Sequence, residues 1–351
     1  MRPTETVPRR RGTCDRAWYH CAMAGSEPAA VIDDADASTR RWRRRRILFL
    51  VIYLTAFVVT TALWGFPASR DRVLVWVLAG LVIAVVGRPQ ALARLAIDFL
   101  PVIVFLYAYD LLRGVADGVF GHVYALPQLR VDEWLFAGTA PTVRLQRALW
   151  TSGHPHVWDY FAFIVYLTYF LAPITVAAML WRKAPHAFYR YVSLWIGLSF
   201  AALATYALYP ASPPWLASRE HLLPHVVRIT PFMSRHMGVD LTRIMGSQDF
   251  VNKVSAVPSL HAATALLISL FFWSRTTRWR WLLVLYPLAM GASLVYLGEH
   301  YASDVLLGWL YAVVVFIAGN RLYDWWLVRH GGRRALRAPS RSDDSGRGET
   351  H

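Results

Sequence analysis

Two short stretches carry polar side chains where the chain is otherwise apolar: VPSLHAA at Val257–Ala263 and EHYASD at Glu299–Asp304. His300 and Asp304 are four residues apart, which on a helix places them on one face and in contact. A carboxylate there can take the Nδ1 proton of the imidazole and leave Nε2 as a nucleophile or base. Pro258 is a residue that starts helices. The free N–H groups of the first turn, near Ser259, would make an anion site that suits a phosphate, with His261 beside it. For either element taken singly, the competing reading is a capped helix with a structural histidine–carboxylate bond.

The elements that must position these residues are membrane spans. Hydrophobic residues make up 56% of the 351 and charged residues only 17%, too little polar surface for two soluble domains. Ile47–Phe66 is an uncharged apolar run of 20 residues, enough at about 1.5 Å per residue to cross a hydrocarbon core of about 30 Å. Further runs are Val73–Val86, Leu95–Leu112 (interrupted by Asp98, Pro101 and Asp110), Val157–Trp181, Tyr191–Tyr209, Ala256–Trp273, Trp281–Leu297 and Val305–Val328, which makes eight. The fold expected is an all-α polytopic membrane bundle. A six-helix catalytic core over 95–328 follows two N-terminal spans in 47–94. Basic 1–46 and polar 329–351 are expected to be disordered tails.

Orientation follows from the arginines. The cluster Arg40, Arg41 and Arg43 to Arg46 precedes the first span and belongs on the cytoplasmic side. Alternation then puts Arg88 and Arg94, Arg182 to Arg190, Arg275 to Arg280 and Arg329 to Arg334 on that same side. Segments 113–156 and 210–255 and the turn at Glu299 and His300 face outward, so both histidines are delivered to the outer face. Within 113–156, Pro141 followed by Thr142 to Trp150 reads as an interfacial amphipathic helix.

The excess of 37 basic over 22 acidic residues lies beside apolar spans and is not interleaved with stacking aromatics, which excludes nucleic acid as a partner. Cys14 and Cys21 have no partner at ligand spacing. His154, His156, His221, His225 and His236 show no such spacing either, so no metal and no cofactor is expected. Asp110 and Arg113, at the outer end of the third span, could pair or line the pocket.

Pro258-Ser259-Leu260-His261 and Ser293-Leu294 followed by His300 and Asp304 resemble two elements of the type 2 phosphatidic acid phosphatase superfamily, Pro-Ser-Gly-His and Ser-Arg-x5-His-x3-Asp. Leu260 replaces the glycine, Leu294 replaces the arginine, and the family's Lys-x6-Arg-Pro is missing. PSLHA without that arginine, together with YPASPPWLAS at Tyr209–Ser218, is similar to the branch containing inositol phosphorylceramide synthase. The resemblance covers roughly residues 100–328. It implies that His300 forms a phosphohistidine, Asp304 orients it, and His261 protonates the leaving oxygen. Ser259 would hold non-bridging oxygens. Negative charge on a pentacoordinate phosphoryl group still needs a cation, and Arg228, Arg243 and Lys253 in the outer segment are the candidates.

The expected function is an integral lipid phosphatase or phosphotransferase of the cell membrane, acting on a lipid phosphate or diphosphate at the outer face. The acceptor is water, a polyol or a lipid hydroxyl. A polyprenyl diphosphate phosphatase is the alternative within the class. A proton-coupled transporter, with His261, His300 and Asp304 as relay, is the alternative outside it.

Overall fold

The computed structural model describes residues 29–64, 70–119, 123–238 and 256–335. Among them are twelve α-helices and, beyond one isolated bridge between Tyr124 and Ala211, no β-structure. The helices are α1 (Ala29–Trp64), α2 (Arg70–Val85), α3 (Pro89–Val119), α4 (Leu126–Leu135), α5 (Pro141–Leu149), α6 (Val157–Lys183), α7 (Pro185–Leu208), α8 (Pro214–Arg219), α9 (Ile229–His236), α10 (Leu260–Trp273), α11 (Arg280–Tyr296) and α12 (Ala302–Ala335). The chain divides into two compact units, Met1–Ile52 and Tyr53–His351.

Each of the eight expected spans has its helix. Five are long and apolar enough to cross a membrane: Arg44–Leu63, Pro89–Tyr109, Val157–Lys183, Pro185–Leu208 and Ala302–His330. Arg72–Val85, Leu260–Trp273 and Arg280–Tyr296 are shorter apolar helices. Helix α1 begins at Ala29 and α12 runs on to Ala335. Extending an existing helix through Ala- and Arg-rich sequence needs no new nucleus, and both residues are good helix formers. Ile97 (70% exposed) and Tyr107 (74%) on α3 and Val314 and Leu310 on α12 point outward, as lipid-facing residues do.

The helix that carries His261 is the innermost. At 14 residues α10 is about 21 Å long, and it packs against α6, α7, α11 and α12. It is apolar all round, the pattern of an interior helix. Ala262, Ala263 and Ala265 are buried in it, and facing glycines let the neighbours approach closely. A Cβ on Gly308 of α12 would collide with the Ser259 carbonyl, and one on Gly291 of α11 would lie 2.8 Å from Val305 Cγ1. Small residues at helix contacts are how membrane bundles pack.

Several polar residues inside the bundle are tied to partners. Asp98 of α3 accepts from Trp181 Nε1 on α6 (2.8 Å) and from the Tyr189 hydroxyl on α7 (2.7 Å). Arg190 of α7 holds Asn320 (3.0 Å) and Asp324 of α12. Helix α5 forms where the amphipathic pattern put it, but one face is buried in protein. Gln146 donates to the carbonyls of Val227 (2.9 Å) and Tyr296 (2.8 Å) and accepts from the Val227 N–H (2.8 Å). That one amide joins the segment leading to Arg228 to the end of α11.

Candidate active site

His300 is delivered by the way α11 ends. Gly298 has φ +80°, its N–H bonds the Val295 carbonyl (3.3 Å), and the Glu299 N–H bonds the Leu294 carbonyl (3.1 Å). These are the two hydrogen bonds of a Schellman ending, which needs a left-handed residue and so favours glycine. There is also no room for a side chain at Gly298, where a Cβ would lie 2.9 Å from the Val227 carbonyl. The turn places His300 between the end of α11 and the start of α12.

His300 is buried, and its Nδ1 lies 3.0 Å from the Ala256 carbonyl oxygen. A carbonyl can only accept, so in the neutral ring the proton sits on Nδ1 and Nε2 keeps its lone pair. Asp304 Oδ2 is 3.6 Å from the same Nδ1, close enough to stabilise a positive ring but beyond hydrogen-bond distance. The carboxylate expected to take the Nδ1 proton is instead bonded by its Oδ2 to the Tyr301 N–H (2.8 Å). Its Oδ1 is buried without a hydrogen bond among the described residues.

His261 sits in the first turn of α10. Ser259 caps that helix, its hydroxyl oxygen accepting from the Ala262 N–H at 3.4 Å. Three aromatic residues of α6 surround the His261 ring: Tyr166 stacks on it (centroids 5.2 Å apart, planes 18° apart), Tyr169 lies at 3.9 Å, and Phe170 meets it edge-on at 6.0 Å. Their spacing of three and four residues places them on one helix face. The two imidazoles are 5.7 Å apart. The Ser259 N–H also donates to the Asp304 carbonyl (3.0 Å), so the two helix starts are joined by backbone. Ser259 is fully buried; its N–H and hydroxyl oxygen are engaged, and its hydroxyl hydrogen remains.

Among the three candidate cations, Arg228 is within the described residues; Arg243 and Lys253 lie outside them, as do the side chains of Asp110 and Arg113. Arg228 Nε and Nη2 bond Glu299 Oε1 (2.8 Å) and Oε2 (3.2 Å), and Thr230 donates to the same carboxylate. The guanidinium lies 4.7 Å over the Trp215 ring. Burial opposes its charge, but Glu299 outweighs burial and holds Arg228 above the usual arginine range. A bidentate carboxylate takes two of five guanidinium N–H groups and leaves three.

Asp132 of α4 was not singled out by its sequence context. It is fully buried, and its two oxygens accept from Ser303 N–H (2.8 Å) and Ala302 N–H (2.9 Å), the first residues of α12. Burial raises its pKa from the ordinary carboxylate value, and those N–H bonds oppose the shift. Beside the aromatic cage Phe105, Leu106, Tyr169, Phe170, Ile174 and Trp195 line a small apolar gap of about 10 Å³. Two further histidines are separate: His236 bonds the Tyr160 hydroxyl (2.8 Å) and His156 stacks on Trp158. No cluster that could hold a metal occurs among the described residues.

Fold and site together define a class: a membrane helical bundle with two histidines and a carboxylate gathered where two helices begin. The model of the PAP2 superfamily matches residues 129–318, a stretch that includes all three. The chain belongs to the PAP2 superfamily and is a membrane enzyme of the phosphatase type. Neither the curated proteins nor the solved structures yield a match.

Proposed function

We propose that this enzyme moves a phosphoryl group from a lipid phosphate or diphosphate through a phosphohistidine on His300, at the extracytoplasmic face of the cell membrane. The observation that carries the reading is the Ala256 carbonyl 3.0 Å from His300 Nδ1, because it leaves Nε2 as the nucleophile. Nε2 attacks phosphorus and a P–N bond forms while the bond to the lipid oxygen breaks. His261, protonated, gives its proton to that oxygen. Neutral His261 then takes a proton from the acceptor, whose oxygen attacks phosphorus and returns the P–N electrons to Nε2. Asp304, at 3.6 Å, offsets the positive charge of the phosphorylated ring, and Arg228, with Arg243 or Lys253, neutralises the equatorial oxygens.

Leu294 stands where the superfamily motif has an arginine and is fully buried among apolar neighbours. That departure supports the synthase-like branch, with an alcohol such as inositol or a lipid hydroxyl as acceptor in place of water. Hydrolysis of a polyprenyl diphosphate is the alternative outcome.

Mass spectrometry of products formed by purified protein from phosphatidic acid, polyprenyl diphosphate and phosphatidylinositol, with and without inositol and diacylglycerol, tests the reading. A new phospholipid that needs both donor and acceptor identifies a transferase, and free phosphate without acceptor identifies a phosphatase. In His300→Ala either product falls by at least about a thousandfold. Undiminished turnover in that variant sinks the mechanism.

A further inference from the structure

We propose that Asp132 is a positioning residue of this site, whose carboxylate screens the start of α12 against the substrate's phosphate and so directs that phosphate to Arg228. The inference rests on the reading of His300 as the group that meets the phosphate. A helix start attracts anions through its free N–H groups and its dipole. The start of α12 at Ala302 is only two residues beyond His300. All three amides there are taken by carboxylates: Tyr301 N–H by Asp304 (2.8 Å), and Ala302 and Ser303 N–H by Asp132 (2.9 and 2.8 Å). The residue before His300, Glu299, holds the guanidinium of Arg228. The cation therefore lies beside the residue that precedes His300, and the carboxylates that take the three amides lie at the helix start that follows it.

A simple helix cap would be served by a local serine or aspartate, as Ser259 serves α10. Here the cap comes from 170 residues away along the chain and brings a full carboxylate into a fully buried position. Two consequences separate a screening role from a merely structural one. Removing the charge should make the site bind a free anion more tightly, because a negative charge near the phosphate has gone. Removing it should also slow the chemical step, because the anion can then settle against α12, away from Nε2.

The test uses the full-length protein with the lipid substrate identified by product analysis and inorganic phosphate as competitor. Asp132→Asn keeps the shape and loses the charge, with its single amide oxygen left to accept from one of the two N–H groups. Its inhibition constant for phosphate is expected to fall about threefold to tenfold, while kcat falls about tenfold or more and KM does not rise. Unchanged kcat, or phosphate inhibition that is unchanged or weaker, overturns the proposal. Ala302→Pro is the second variant. Proline is tolerated at the first helical position and removes one of the two donors of Asp132 while the charge stays. Its kcat should fall severalfold with phosphate inhibition unaltered, and wild-type kcat there counts against the proposal. His300→Ala in the same assay separates the two claims. If it retains turnover, the reading of the site fails; if it is inactive while Asp132→Asn behaves as wild type, the screening role alone fails.

Discussion

His300 lies among hydrogen-bonding groups, with the Ala256 carbonyl at 3.0 Å and Asp304 at 3.6 Å, whereas the ring of His261 lies among Tyr166, Tyr169 and Phe170, the nearest at 3.9 Å. The first arrangement selects one tautomer and fixes which nitrogen has the lone pair. The second fixes the plane and place of the ring through its faces and edge, and stacking does not choose between the nitrogens. A nucleophile needs one nitrogen held in line with phosphorus, and a group that gives and then takes a proton needs both protonation states within reach. The surroundings of the two histidines thus match different tasks, although both sit at helix starts.

The largest effect after loss of His300 itself is expected from His261→Ala. Loss of a positioned acid lowers kcat by about a hundredfold to ten-thousandfold on a lipid substrate, whose alkoxide is a poor leaving group. On an aryl phosphate, whose leaving oxygen needs no proton, formation of the phosphohistidine should be nearly normal. Equal losses in phosphohistidine formation on both substrates would break the assignment, because His261 would then be acting on something other than the leaving group.

A smaller effect should follow when the join between the two helix starts is disturbed. Gly308→Ala places a Cβ against the Ser259 carbonyl, and backbone cannot swing away as a side chain can. The start of α10 must shift relative to α12, straining the bond between Ser259 N–H and the Asp304 carbonyl. Overpacking of this kind costs about 1–3 kcal/mol, and a displacement near 1 Å lowers kcat by roughly tenfold to a hundredfold. Gly319→Ala in the same helix meets only the far end of the Leu194 side chain and should leave both quantities near wild type. Thermal unfolding in detergent and kcat, measured on the pair, check this; a silent Gly308→Ala would show that the two starts need no fixed spacing.

Much of this arrangement was legible in the residues. The eight apolar runs gave the helices because long uninterrupted hydrophobicity has few other outcomes, and the polar elements PSLH and EHYASD marked the two helix starts. What was not legible came from backbone and from distance along the chain. The partner of His300 is a carbonyl of Ala256, and no side chain announces a carbonyl. Asp132 and Gln146 act on residues 170 and 150 positions away, beyond the reach of any local pattern. Gln146 was hidden further because the amphipathic period of α5 suggested a helix lying on lipid, and the same period also suits one that buries a polar residue in a protein seam. The ring cage of His261 is a stripe at helical spacing on α6, and such stripes are ordinary core in most helices.

That cage offers the smallest expected effect and the finest test of the contrast between the histidines. Tyr169 lies 3.9 Å from the His261 ring, so it fixes the ring, and its aromatic face attracts a cation by about 0.5–2 kcal/mol. Tyr169→Leu keeps an apolar side chain of the right reach and removes the π face. The variant should fold, keep its KM within a factor of about two, and lose about threefold to thirtyfold in kcat on a lipid substrate. On an aryl phosphate the loss should shrink, as for His261→Ala, because the proton delivered by His261 is then dispensable. If Tyr169→Leu instead raised KM with kcat intact, the ring would be touching the substrate, and the aromatic setting of His261 would serve binding, with no part in holding the proton donor.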